Sequence, residues 1–425
     1  MDPIDEIFSN IMNISIPERM NLTVMDLLPH EIQIIPVWGG INNTELVAGG
    51  VCHHEIPHPN NVNKGRCCIG ATSAGGGQVY TQLKSGGNNC AQDAKVYELV
   101  HDLALDELDA NPVKGAPYSK KNDLILKCDI CQIIRVVASL KHKRIAFIGD
   151  SVQGQALIGF ECELSRRGFH MSEWQKNPFL IEQPTPPNRV PWKYGIKTQK
   201  CTNVTVPSWI LDHDAQRGQS LSPQVEICMY RHYRPLVDMK AHGMIAAMSD
   251  IMLIDYGLHY LYHQTVDLKE FKSTIEALLL EFKTNITDCV LIFRESTAQH
   301  FDFDGGEYQP ITNSSHTCVP HENHKSLQQG PYWRRNVLQE AATSQNFSVV
   351  DAYGIPYPNS TNQISRHVME NKVTLLPFFD FTARLSYLHT NDVDCTHFYY
   401  TPHLWYPLWR HLQIAMDHNV INGNP

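Results

Sequence analysis

A serine hydroxyl attacks an ester at neutral pH when an imidazole within hydrogen-bond reach takes its proton and a carboxylate holds that imidazole in the right tautomer. Two segments of this 425-residue chain carry those residue types. Gly149-Asp150-Ser151 follows the apolar run Ile145-Ala146-Phe147-Ile148, and Asp394-Cys395-Thr396-His397 lies near the C-terminus. Together they offer a Ser/His/Asp triad of Ser151, His397 and Asp394, in the chain order Ser, Asp, His. Each motif alone is weak, since chance gives Gly-Asp-Ser in about one chain in ten of this length and Asp-x-x-His in roughly every second or third.

The setting adds weight. Residues 152–167 read as a helix with Ala156, Leu157, Phe160 and Leu164 on one face, so Ser151 falls where a buried strand meets a helix N-terminus. A serine there sits at the carboxyl edge of a sheet, with backbone N–H groups and the positive end of a helix dipole available to an oxyanion. The plainer alternative has Ser151 capping that helix, with Asp394 and His397 in a polar loop.

From Lys143 onward, short apolar runs alternate with helical segments, the pattern of a parallel sheet with helices on both faces. The runs predict strands at about 144–149, 225–231, 251–256, 289–294 and 347–352, and helices at about 152–167, 267–283, 331–344 and 403–417. Ligands in such sheets bind beyond the carboxyl ends of the strands, where Ser151, Asp255, Gly257 and Arg294 fall. The proline-containing stretch 168–223 is too long for an ordinary connection and reads as an insertion.

With both ends in view, the chain resembles the SGNH (GDSL-like) hydrolase superfamily, and within it the PC-esterase group that includes the trichome birefringence-like polysaccharide O-acetyltransferases. Besides the Gly-Asp-Ser segment, Ile251 to Tyr260 is similar to that group's strand ending in Asn-x-Gly-x-His, and Phe293-Arg294-Glu295-Ser296-Thr297-Ala298-Gln299-His300-Phe301 to its Phe-Arg-x-x-Ser-x-x-His-Phe block. Asp394-Cys395-Thr396-His397-Phe398, followed by Pro402, Trp405 and Trp409, is similar to its Asp-Cys-x-His-Trp ending. The resemblance implies a three-layer α/β/α sandwich with a central parallel sheet. It also implies a serine-dependent transfer of acyl, above all acetyl, groups onto a polysaccharide or glycan.

By that resemblance Ser151, Asp394 and His397 are catalytic, and the backbone N–H groups of Ser151, its successor and Gly257 form the oxyanion hole. Arg294, His300 and His259 fall at positions suited to substrate binding; Arg294 also suits a structural role in a buried ion pair with Glu295 or Asp302, and His259 a packing role. One departure stands out: Asp255 occupies the place of an oxyanion-facing asparagine amide. A carboxylate there repels developing negative charge unless burial protonates it or it turns to another partner, and loss of one donor costs about 2.7–4 kcal/mol. No cofactor is expected beyond an acyl donor such as acetyl-CoA or an acetylated glycan. A carbohydrate O-acetylesterase and an inactive extracellular glycan-binding protein are the competing functions.

Composition bounds the rest. With 42% hydrophobic residues the chain can bury a large core, and a formal charge of −9 without a long basic tract argues against nucleic-acid binding. Residues 1–135 read as a cysteine-rich, loop-dominated cap beside a catalytic domain over 140–425. The 12 cysteines point to disulfides and an oxidising compartment, and Cys128-x-x-Cys131 reads as structural because no second such pair completes a zinc site. The histidines show no metal-ligand spacing, so no metal is assigned.

Asn-x-Ser/Thr sequons start at Asn13, Asn21, Asn42, Asn203, Asn285, Asn313, Asn346 and Asn359, against roughly three expected by chance. These features predict a protein of the secretory lumen (Golgi) or a secreted one. Against that, the acidic start Met1-Asp2-Pro3-Ile4-Asp5-Glu6 has no signal-peptide character and no window reaches the apolar length of a membrane span. Trp405 and Trp409 fit a terminal helix packed on the core better than a sugar-stacking platform.

Overall fold

The computed structural model describes residues 129–421 apart from short connecting stretches, the longest being 177–195, 309–317, 321–331 and 358–370. Residues 1–128 of the expected cysteine-rich cap, Cys128 included, therefore lie outside the described residues, whereas 129–135, also expected in the cap, begin a helix packed on the sheet, and Cys131 is held in a disulfide.

A central sheet is built on β1 (Arg144–Gly149), the apolar run that precedes the serine. Its neighbours are β5 (Gln224–His232) and β6 (Ile251–Asp255), both parallel to it. Beyond β6 lie β7 (Val290–Arg294), β9 (Asn371–Leu376) and β8 (Phe347–Val350), again all parallel. On the other side, β4 (Ile196–Thr205) runs antiparallel to β5 and is joined by β2 (His170–Met171) and β3 (Gln175–Lys176). The order along the sheet is β2-β4-β5-β1-β6-β7-β9-β8, with β3 also on β4.

Two features differ from the sequence expectation. The sheet is mixed, because part of the stretch 168–223 continues it as antiparallel strands instead of standing apart as an insertion. Cys201 and Cys228 lie opposite each other in the β4/β5 register and are disulfide-bonded, which fastens this extension. In addition, β9 inserts between β7 and β8, a strand that the sequence reading passed over.

Strand periodicity sorts the core into two faces. Ile145 and Phe147 of β1 and Ile251 and Leu253 of β6 point to one face. There they meet α1 (Asp129–Ser139), α2 (Ser151–Arg166) and α8 (Tyr406–Met416). Ala146, Ile148, Met252 and Ile254 point to the other, against α4 (Met239–Ala247), α5 (Thr265–Asn285) and α6 (Trp333–Ser344). A short α3 (Ser208–Gln216) follows β4. The result is an α/β fold with helices on both sides of the sheet, compatible with a three-layer sandwich. As expected, Ala156, Leu157, Phe160 and Leu164 bury one face of α2, and Trp405 and Trp409, each 1% exposed, pack into the core.

This arrangement sets a crevice. The chain leaving β1 enters α2 on one face, while the chain leaving the adjacent β6 leads to α5 on the other. Where connections diverge in this way, the carboxyl ends of the two strands are left open to a ligand. Ser151 follows β1 at that point, and Asp255 and Gly257 end and follow β6.

Candidate active site

The β1-to-α2 turn is tight. Gly149 sits against the main-chain carbonyl of Asp255 and the side chain of Gln153, leaving no room for a Cβ. Asp150 is the helix cap: its Oδ1 accepts the Val152 N–H at 2.8 Å and its carbonyl accepts that of Gly154 at 3.2 Å. With capping done by Asp150, Ser151 occupies the first helical residue and its hydroxyl is available for other work.

That hydroxyl meets His397. Nε2 of His397 lies 2.7 Å from Ser151 Oγ, and Nδ1 lies 2.9 and 3.0 Å from the two carboxylate oxygens of Asp394. Asp394 is itself fixed, since its Oδ1 accepts the backbone N–H groups of Thr396 and His397, each at 3.2 Å. Burial raises the Asp394 carboxyl, but the hydrogen bond and charge of His397, with those backbone donors, more than offset it and hold the group below its ordinary value. The three side chains thus form an unbroken chain of hydrogen bonds over 246 residues of sequence separation. Such a chain can pass a proton from a hydroxyl to an imidazole.

Residues outside the triad hold these partners together. Asp394 and His397 lie on β11 (Asp394–Phe398), which pairs antiparallel with β10 (His389–Asn391) as a separate ribbon. Gln155, one turn into α2 and 1% exposed, donates Nε2–H to the Phe398 carbonyl at 3.0 Å, and its Oε1 accepts the Phe398 N–H at 3.3 Å. This two-way bond stitches β11 to the helix that begins with Ser151. The Cys318–Cys395 disulfide and the His300 N–H, donated to the Cys395 carbonyl at 3.0 Å, fasten the same strand from the other side. A glutamine inside a helix carries no positional signal in a single sequence, so none was available to mark Gln155.

Asp255 is fully buried, and its partners settle where it turns. Oδ2 pairs with Arg294, and Oδ1 accepts the Ser296 hydroxyl at 3.0 Å. Burial pushes its carboxyl up to about 7, against Arg294 and Ser296, which both favour the charged form. The carboxylate is committed to this pair, and Asp255 does not serve as an oxyanion donor. The Val152 N–H, the other expected donor, is taken by Asp150. The Ser151 and Gly257 N–H groups donate to no described residue. Gly257, at φ 143°, has the side chains of Arg334 and Ser296 where a Cβ would stand.

The substrate-binding expectation also needs correction for two residues. Arg294 has no exposed side-chain surface. Its Nε donates to Gln153 Oε1 at 3.0 Å, Nη1 to the Glu295 carbonyl at 3.0 Å, and Nη2 to Asp255, so its donors are consumed internally. It is the buried ion pair of the plainer alternative, with Asp255 as partner in place of Glu295 or Asp302. His300 is likewise buried, with both ring nitrogens on protein partners, His389 and the Ala383 carbonyl. His259 keeps a partly exposed position. Burial lowers its imidazole, Asp150 pulls it up, and Arg234, His397 and Arg231 push it down, which puts it in the electrostatic range of the triad.

Among the described residues, Cys201, Glu226 and Cys228 bring metal-capable atoms together, but both sulfurs are bonded to each other and are not ligands. No described helix is long and apolar enough to cross a membrane. No known family model matches the chain, and no curated protein matches it.

Proposed function

We propose that this chain is a serine-dependent O-acyltransferase of the SGNH type that moves an acyl group, acetyl foremost, onto a hydroxyl of a glycan. One observation carries the reading: Ser151 Oγ, His397 and Asp394 are hydrogen-bonded in series at the open carboxyl ends of β1 and β6. In this mechanism Ser151 Oγ attacks the carbonyl carbon of the acyl donor while His397 Nε2 takes its proton. The Ser151 and Gly257 N–H groups receive the oxyanion, and collapse expels the donor's leaving group, which regains the proton from His397. A sugar hydroxyl, deprotonated by the same imidazole, then attacks the acyl-serine carbonyl; the bond from Ser151 Oγ to the acyl carbon breaks, Oγ regains the proton from His397, and the sugar leaves as the ester. Asp394 keeps Nδ1 protonated throughout, so that Nε2 can accept.

Preference for transfer over hydrolysis, and for a glycan acceptor, rests on the four sequence blocks similar to trichome birefringence-like proteins. Passage through a secretory lumen is part of the same proposal, supported by the Cys201–Cys228 and Cys318–Cys395 bonds and by the exposed sequon residues Asn203 and Asn346.

The test is turnover of an aryl acetate by the purified chain beside Ser151→Ala, with intact-mass detection of an acetyl adduct. Adduct and turnover are expected in the parent and absent from the variant. Added sugars should then divert the acetyl group into sugar ester; free acetate alone identifies an esterase. Equal behaviour of the two proteins rules out Ser151 as the nucleophile and favours the glycan-binding reading instead.

A further inference from the structure

Two buried imidazoles beside β11 take no part in this chemistry. His300 and His389 are 0% and 5% exposed, and His300 Nδ1 lies 2.7 Å from His389 Nε2. The outer nitrogen of each ring faces a main-chain carbonyl. His389 Nδ1 is 3.0 Å from the oxygen of His397, and His300 Nε2 is 3.0 Å from that of Ala383, which follows the short α7 (Phe379–Thr382). A carbonyl oxygen only accepts, so each outer nitrogen has to carry a proton to bond it. Those two protons are all that a neutral pair of imidazoles owns. Two lone pairs would then face each other across the inner contact, and a hydrogen bond there requires a third proton.

We propose that His300 and His389 share that third proton and act as one positively charged clamp on the backbone of His397. The proton count stands on the geometry, whereas the role of positioning residues rests on the triad reading. With the proton present all three contacts are hydrogen bonds, the inner one charge-assisted. Without it one contact has to open, and two of the three lie on the path that holds the His397 carbonyl.

The surroundings define the opposing pulls. Burial draws His389 down to about 4, and the charge of His397 works in the same direction; the carbonyl of His397 and the Asp394 carboxylate pull it up. Phe398 lies against both imidazoles, with ring centroids 4.5 Å from His389 and 6.3 Å from His300, and α7 contributes the Ala383 carbonyl at its end. A shared proton belongs to the pair, not to either ring.

The test is NMR of the full chain labelled with histidine-15N, titrated from about pH 4 to about pH 8, a range that spans ordinary histidine titration. His389→Gln is measured beside it, because its amide offers His300 a donor that does not titrate. The expected result is one low-field N–H proton linked to nitrogens of both rings and lost in a single one-proton step. Amide-exchange protection at His397 and Phe398 should fall about tenfold across that step in the parent, a loss of local order, and stay constant in the variant. Failure of the triad reading shows separately, as the absence of an acyl adduct on Ser151. Rings that titrate independently, or that stay neutral across the range with constant protection, overturn the clamp, and the parent protein decides this even if His389→Gln does not fold.

Discussion

His397 can act as a base in the proposed reaction while Asp394 is ionised and holds Nδ1–H. Replacing Asp394 by Asn keeps the shape but allows the wrong tautomer, and kcat should fall by about 10⁴-fold with KM changed far less, as measured on an aryl acetate. The two acids near the site have opposite pH signatures. Asp394 is held below its ordinary value of 3.8, so it binds fewer protons folded than unfolded; its stabilisation is present above 3.8 and is lost as pH falls through the folded value. Asp255 is pushed from 3.8 up to about 7, so it binds more protons folded than unfolded, and its contribution declines as pH rises between those values. Chemical denaturation across that range should show a slope of the Asp255 sign that disappears in Asp255→Asn. The same variant leaves Arg294 buried without its counter-charge and should lose about 3–5 kcal/mol of stability at neutral pH. The residue types of the triad were legible in sequence because their chemistry fixes them. The partner of Asp255 was not, because an Asp-for-Asn departure says nothing of which neighbour, 39 residues away, will meet it.

At the scale of elements, the site depends on holding β11, outside the main sheet, against the start of α2. Gln155 does this through both main-chain groups of Phe398, the residue after His397. Gln155→Leu preserves volume but leaves a buried N–H and C=O unpaired, at a cost of about 1–3 kcal/mol for each orphaned group. If the two Gln155 bonds set the His397–Ser151 distance, kcat should drop up to about 100-fold while KM holds, a split that steady-state kinetics reads directly. An unchanged kcat would show that the disulfide and the His300 contact alone suffice. The apolar runs announced β1, β5, β6, β7 and β8 because a strand buried on both faces is a short unbroken hydrophobic segment. In contrast, β4 lacks an unbroken apolar run and falls within the expected insertion, since it pairs as an antiparallel extension where Lys200 and Asn203 face water.

For the whole molecule, the bond between Cys318 and Cys395 spans 77 residues and ties the triad-bearing strand to the segment after β7. Removing it by Cys318→Ser with Cys395→Ser should lower unfolding free energy by about 2–5 kcal/mol, read by chemical denaturation beside the parent. Cys289, by contrast, is free, and burial pushes its thiol up, so oxidising conditions should leave it unmodified in the folded chain. The two disulfides inside the described residues agree with the expectation drawn from the cysteine content. The sequence did not pair them, because connectivity follows from which strands become neighbours.

The sequence by itself determined what is local or periodic: the alternating strand and helix pattern, the buried face of α2, the core placement of Trp405 and Trp409, and the Gly-Asp-Ser turn that ends β1. It also contained the three residue types of a triad, 243 and 246 positions from the serine, without stating that they meet. Only the tertiary structure decided that they do, because the meeting rests on hydrogen bonds between distant segments, Gln155 to Phe398 and His300 to Cys395. The same holds for Arg294 and His300, whose polar side chains suit a ligand in sequence but face inward in the fold. Burial makes an unpaired polar group costly, so a side chain placed there by the packing of the sheet must take its partners from the protein.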